Sequence, residues 1–263
     1  MSNKRADYWN KSYSEYWQKR VAESKTGANL SSIQDGDKVT EGDEIYFEIF
    51  EDFHPVGSSI LDVGCGWGRF FPFFAQKGLS VFGIDISFAM LEIFKRNEVP
   101  NSSVISPVVA EAESLPYKAS SFDNVACLAV FDATMQEKAL TEFMRVLKKG
   151  GRLYITGKNN NYSSDDVLAY EAELGACRKG HPNSFTDLKL LLDTFVEAGH
   201  TIVAQFFFPS RGDFAKKNFH ENINMRFYEY FVILEKNNDN QINLSVPISS
   251  PKSLVRLSKE KNE

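Results

Sequence analysis

Ile60-Leu61-Asp62-Val63-Gly64-Cys65-Gly66-Trp67-Gly68-Arg69-Phe70 runs a short apolar segment into three glycines at alternate positions, and a helix-like stretch follows. Glycines in such a turn permit positive φ and let a ligand approach the backbone closely, while the start of a helix offers backbone N–H groups. A dinucleotide fingerprint would need Gly or Ala at the sixth place counted from Gly64, where Arg69 stands. A phosphate-binding loop would need Gly-Lys-Ser/Thr, which does not occur here. An acidic residue at the strand end, Asp62, suits a cationic group where a phosphate site would not.

The rhythm on either side fits one architecture. Short apolar runs at Ser59–Val63, Leu79–Ile84, Val104–Val109, Phe122–Val130 and Arg152–Thr156 read as strands. Helix-like stretches lie between them at Arg69–Gln76, Ser87–Asn97 and Met135–Leu147, with Glu44–Phe53 ahead. A helix at Phe185–Ala198 leads to strands at Thr201–Phe208 and Phe227–Leu234. Alternating strands and helices predict an α/β fold whose parallel sheet is covered on both faces. The polar segments 158–183 and 209–225 read as cap insertions, which shape substrate sites in such sheets. Residues 1–43 carry Tyr8, Trp9, Tyr13, Tyr16 and Trp17 at roughly helical spacing and then a loop; residues 237–263 read as a mobile polar tail.

Composition narrows the class. The 263 residues suit one domain of 44–236 with a small N-terminal element, and 43% apolar residues suffice for a core. A net charge of −5 argues against a nucleic-acid binder. No apolar run reaches the ~20 residues that span a bilayer, and no secretory signal opens the chain. Cys65, Cys127 and Cys177 form no CxxC pair and the four His are scattered, so neither a disulfide framework nor a metal site is expected. The expectation is a cytoplasmic monomer or homodimer with no membrane partner.

The pattern Asp-x-Gly-x-Gly-x-Gly at 62–68 resembles the S-adenosylmethionine loop of class I methyltransferases of the small-molecule, methyltransferase-11-like type. Gly83-Ile84-Asp85-Ile86-Ser87 ends the second strand with a carboxylate about 20 residues on. Val109-Ala110-Glu111-Ala112-Glu113-Ser114-Leu115-Pro116-Tyr117 resembles the family's Gly-Asp-Ala-Glu-x-Leu-Pro-Phe stretch, with Ala110 for Gly and Glu111 for Asp. The resemblance implies a Rossmann-like, seven-stranded, mostly parallel sheet with helices on both faces, an antiparallel last strand and an N-terminal helical lid. It implies S-adenosyl-L-methionine as cofactor. The residues it assigns to that cofactor are Tyr16, Asp62, Gly64, Cys65, Gly66, Gly68, Asp85, Ile86, Met90, Glu111, Ala112, Glu113 and Leu128. Asp85 would accept from the ribose hydroxyls, Glu111 from the adenine amino group, and Ala112 would offer its N–H to the ring.

Methyl transfer from a sulfonium depends mostly on alignment, so the acceptor is poorly written in the sequence. The stretch Ala129-Val130-Phe131-Asp132-Ala133 lacks the Asn/Asp-Pro-Pro-Tyr/Phe of amino-methylating enzymes acting on nucleobases or amides. Asp132, after the fourth strand, and His181, in the polar insertion, are the candidate bases, and each also reads as an ordinary surface residue. The favoured function is methyl transfer to an oxygen or amine of a small molecule, sugar-like or a natural product. A protein or RNA acceptor is a second reading, and a non-catalytic S-adenosylmethionine-binding partner protein a third.

Overall fold

A computed structural model describes residues 4–15, 44–94, 103, 107–162, 166–178, 180–240, 242, 244 and 247–250. The N-terminal helix α1 (Lys4–Tyr8) passes directly into a π-helical turn at Trp9–Tyr13. Then follow α2 (Glu44–Asp52), β1 (Ser59–Val63), α3 (Phe71–Gln76), β2 (Ser80–Asp85), α4 (Phe88–Glu92), β3 (Val108–Val109) and β4 (Phe122–Cys127). A 3-10 turn at Phe131–Ala133 precedes α5 (Gln136–Val146), β5 (Leu147–Lys158), α6 (Val167–Arg178) and β6 (Phe185–Thr186). The chain continues through α7 (Leu188–Glu197), β7 (Thr201–Phe208), β8 (Glu229–Glu235) and β9 (Ser249–Ser250).

Seven strands form one sheet in the order β3-β2-β1-β4-β5-β8-β7. β1, β2, β3, β4 and β5 run parallel, and β8 lies antiparallel between β5 and β7. Side chains alternate across the strands with period two. Leu61, Val125, Leu153 and Ile155 therefore enter one core layer with Phe143, Leu191 and Phe195. Ile60, Ala126, Tyr154 and Ile233 enter the other with Phe50, Phe71 and Phe74. The second layer is aromatic: Phe50 packs on Tyr154 at 4.5 Å and on Phe74 at 5.1 Å between ring centroids. Seven of the chain's 22 phenylalanines are buried in this layer.

The strand order reverses between β1 and β4, so the glycine turn after β1 and the turn after β4 open a crevice at the carboxyl ends of the strands. This is where an open α/β sheet binds its ligand.

The structure departs from the expected elements at several places. β4 stops at Cys127 because Ala129 takes φ 57°, which turns the chain out of the sheet. β5 begins at Leu147 rather than Arg152, since Gly150 and Gly151 pair with Lys236 through Gly150 N–H to Lys236 O (2.6 Å) and Lys236 N–H to Gly151 O (2.9 Å). The insertion 158–183 contains helix α6, which shows no apolar stripe in sequence: Val167 and Leu168 are exposed while Glu173 is buried. The tail is ordered at Ser249–Ser250, which pair antiparallel with Phe185–Thr186 beside a buried Ile248. Only Val108–Val109 of the third expected strand and Phe88–Glu92 of the helix after β2 form regular elements; 95–102 and 104–106 lie outside the described residues.

Candidate functional site

The crevice is walled by Asp62, Gly64, Cys65 and Gly66 from the glycine turn and by Asp85, Ile86 and Met90 from the end of β2 and α4. Ala112 and Glu113 close one side, and Leu128, Ala129 and Val130 follow β4. Ten of the thirteen residues assigned to the cofactor from the sequence thus meet in one place. Gly68 does not line it; a Cβ there would sit 3.0 Å from Phe71 and Phe94, so Gly68 serves the packing of the turn. Glu111 also stays outside the wall, with its carboxylate 3.6 Å from the Arg5 guanidinium. Tyr16 lies outside the described residues.

Two glycines of the turn differ in what they permit. Gly64 has φ 75°, and a Cβ on it would lie 2.5 Å from Val130. Gly66 has φ 53°, but a Cβ would meet only Met90 Cε, at 3.4 Å. Added bulk at Gly64 therefore collides with the protein, whereas at Gly66 it enters the crevice.

The carboxylates are set by backbone amides and by burial. Gly66 N–H donates to Asp85 Oδ2 at 2.9 Å and Ser87 N–H to Oδ1 at 2.8 Å. Burial raises the Asp85 carboxyl above its usual range, opposed by the amides of Ser87, Gly66 and Ile86. Helix α4 is capped by Ser87, whose Oγ accepts from Met90 N–H at 3.2 Å. Asp62 is 2% exposed, and its Oδ2 has no hydrogen-bond partner among the described residues. Burial pushes its carboxyl up to about 7; the Arg69 charge works against that shift and Asp85 adds to it. An unpartnered buried carboxylate oxygen is costly unless a donor or cation satisfies it. Burial also raises the Cys65 and Cys127 thiols well above their ordinary range, which disfavours a thiolate at either position.

The N-terminal segment crosses the crevice. Arg5, Trp9 and Tyr13 recur every four residues and all three line it. Arg5 makes a bidentate pair with Glu113 at 2.5 and 2.7 Å. Although burial opposes its charge, Arg5 and the Met135 amide hold the Glu113 carboxyl below the usual range. Asn10 Oδ1 accepts from Ser87 Oγ at 3.0 Å and from Ala89 N–H at 3.1 Å. The sequence flagged the aromatic residues of this segment; the four-residue spacing that includes Arg5 was the signal for the rest. Arg69, Trp67, Phe70, Ala133 and Thr134 also line the crevice and had not been assigned to it.

Neither candidate base lines the crevice. Asp132 is 8% exposed and pairs with Lys158 Nζ at 3.1 Å, which also holds Glu173 at 3.0 Å. Asp132 thus fastens the turn after β4 to the end of β5 and to α6. His181 meets Tyr8 Oη through Nδ1 at 3.0 Å and packs against Trp9 with ring centroids 5.1 Å apart. It is a buttress of the N-terminal segment.

Sheet order, glycine turn and paired strand-end carboxylates define the class I methyltransferase fold. Residues 61–155 match the family model described as a methyltransferase domain. It is 30% identical over 128 residues to a ubiquinone biosynthesis O-methyltransferase of Idiomarina loihiensis, covering 47% of this chain and 53% of that protein. It is 35% identical over 100 residues to a demethylmenaquinone methyltransferase of Renibacterium salmoninarum, covering 38% and 40%. The chain spans about half the length of the curated relatives it matches. Among solved structures, magnesium protoporphyrin IX methyltransferase from Synechocystis with bound SAH superposes with a TM-score of 0.62 at 17% identity, over 88% of this chain and 97% of that one. Among the described residues no helix is long and apolar enough to cross a membrane.

Proposed function

We propose that this protein is an S-adenosylmethionine-dependent methyltransferase that methylates an oxygen of a small molecule. The observation that carries the reading is the buried Asp62 Oδ2, unpartnered among the described residues, in the wall of a crevice whose turn leaves room at Gly66. The residues fit the cofactor. Asp62 would hold its ammonium, Asp85 its ribose hydroxyls, and Ile86, Met90, Ala112 and Leu128 its adenine. Bound there, the cofactor supplies a methyl group already activated on a sulfonium.

The protein's own contribution is orientation and exclusion of water. Asp85 keeps the glycine turn in register with the end of β2, and the Arg5–Glu113 pair keeps the N-terminal segment across the opening. Trp9, Tyr13, Phe70, Val130 and Ala133 give the crevice a mostly apolar wall, which suits a small apolar or aromatic acceptor better than a charged macromolecule. The relatives' names, which refer to ubiquinone and menaquinone, support an acceptor of quinone-like chemistry.

The test is incubation with S-adenosylmethionine and a panel of hydroxylated aromatics, amines, proteins and RNA, with product formation read by mass spectrometry. Methylation of a hydroxylated small molecule is expected. Turnover only on protein or RNA, or binding without turnover on any acceptor, contradicts the proposal.

A further inference from the structure

We propose that Lys158 is a positioning residue of the crevice: by holding Asp132 and Glu173 together, it joins the wall of the crevice to the N-terminal segment that crosses it. The joint stands on contacts within the chain, and its effect on ligand binding rests on the cofactor reading above.

The wall side starts at the end of β5. Thr156 Oγ1 accepts from Ala129 N–H at 2.6 Å, and two residues on, Lys158 Nζ meets Asp132 Oδ2 at 3.1 Å. Residues two apart on a strand share a face, so β5 grips the turn after β4 at two points. Ala129, Val130, Ala133 and Thr134 of that turn line the crevice.

The other side starts at the same ammonium. Lys158 Nζ lies 3.0 Å from Glu173 Oε1 in α6. Tyr228 Oη also donates to Oε1, and Asn183 Nδ2 donates to Oε2, so both oxygens of Glu173 are held. At the far end of α6, His181 N–H donates to Ala176 O at 3.0 Å, which seats His181 on the helix. From there His181 Nδ1 meets Tyr8 Oη at 3.0 Å, and its ring packs on Trp9 and Tyr13 with centroids 5.1 and 6.0 Å apart. Trp9 and Tyr13 line the crevice from above the turn's own wall.

The joint is sheltered from water: the side chains of Lys158, Asp132 and Glu173 are 18%, 11% and 5% exposed. Ion pairs in such a place are little screened by salt. Although burial opposes its charge, Asp132, Tyr228 and Glu173 hold the Lys158 ammonium well above its ordinary range.

The experiment is hydrogen exchange read by mass spectrometry on the ligand-free wild type, Glu173→Ala and Glu173→Gln. Glu173 is the member to change, because Lys158 keeps Asp132 as partner and no buried charge is stranded. Glu173→Ala is expected to speed exchange across residues 4–15 at least about tenfold, with β1, β2 and β4 within about twofold of wild type. Glu173→Gln keeps an oxygen for Lys158 and Tyr228 and is expected to fall between, at about threefold; it carries the comparison should Glu173→Ala not fold. Faster exchange in α6 alone, equal acceleration in every element, or residues 4–15 unprotected already in the wild type overturns the joint. Titration with S-adenosylhomocysteine reads the consequence: Glu173→Ala is expected to bind about 3–10-fold more weakly and Glu173→Gln to recover most of the loss. Unchanged affinity in Glu173→Ala overturns the positioning role. A wild type that does not bind S-adenosylhomocysteine overturns the cofactor reading, while the exchange pattern still decides the joint.

Discussion

Gly66 donates its backbone N–H to Asp85 Oδ2 at 2.9 Å, which ties the glycine turn after β1 to the end of β2. The second oxygen takes the Ser87 amide at 2.8 Å. One carboxylate therefore shapes the turn and also stands in the wall of the crevice, so its structural and binding roles are not separable by position alone.

Asp85→Ala removes the acceptor for both amides and, in the proposed cofactor site, for the ribose hydroxyls. Hydrogen bonds to a charged group contribute roughly 1.5–3 kcal/mol each, and neighbours do not add fully. Cofactor affinity is expected to fall at least ~100-fold, and the melting temperature is expected to fall too, because two amides lose their partner. Asp85→Asn keeps one accepting oxygen and is expected to lose less of both. Calorimetry and thermal unfolding of the two variants check this; normal affinity in Asp85→Ala would remove the ribose assignment.

The two glycines are expected to respond differently. Gly64→Ala forces a Cβ to within 2.5 Å of Val130 and should lower the melting temperature markedly. Gly66→Ala costs about 1–2 kcal/mol for its left-handed backbone, keeps the fold, and should abolish measurable cofactor binding. Thermal unfolding paired with calorimetry separates them, and a Gly66→Ala protein that binds normally shows that the turn does not touch the ligand.

Asp62 makes a pH signature. Well below its ordinary range the carboxyl is protonated in the folded and unfolded chains alike and contributes nothing to the pH dependence. As pH rises towards 7 the unfolded chain has lost this proton while the folded one retains it, so stability falls; above about 7 the loss is complete. Asp62→Asn should therefore raise the melting temperature at pH 8 and change it little at pH 4. Cofactor binding should behave oppositely, because a bound ammonium favours the carboxylate. Wild-type affinity is expected to rise with pH and level off near 7, and Asp62→Asn to be weaker and flat. A flat wild-type profile sinks the assignment.

Arg5 holds the N-terminal segment through Glu113, whose side chain is 3% exposed. Arg5→Ala is expected to speed amide exchange across residues 4–15 and to weaken cofactor binding about tenfold. Unchanged exchange in that segment would show that Asn10 and the His181 contacts suffice without the ion pair.

Sequence carried the central site because its chemistry is local. The turn 62–68 and Asp85 are fixed by glycine spacing and by a carboxylate at a strand end, and β1, β2 and β4 by their apolar runs. What could not be read depends on contacts between distant segments. Asp132 looked like a base because it follows β4, but Lys158, 26 residues on, takes its carboxylate. Glu111 matched the family position, yet the turn brings its neighbour Glu113 to the crevice, where Arg5 meets it. Helix α6 hid because its buried face carries Glu173, whose carboxylate is paired by Lys158 and Tyr228, so no apolar stripe marks it. The short pairing of Ser249–Ser250 with Phe185–Thr186 joins segments more than sixty residues apart and has no local signal.

The most direct measurement is calorimetric titration of the wild-type protein at pH 8 with S-adenosylhomocysteine and, separately, with NAD. The expected result is one saturable site for S-adenosylhomocysteine and no binding of NAD. Saturable NAD binding with no heat from S-adenosylhomocysteine would contradict the assignment of the crevice.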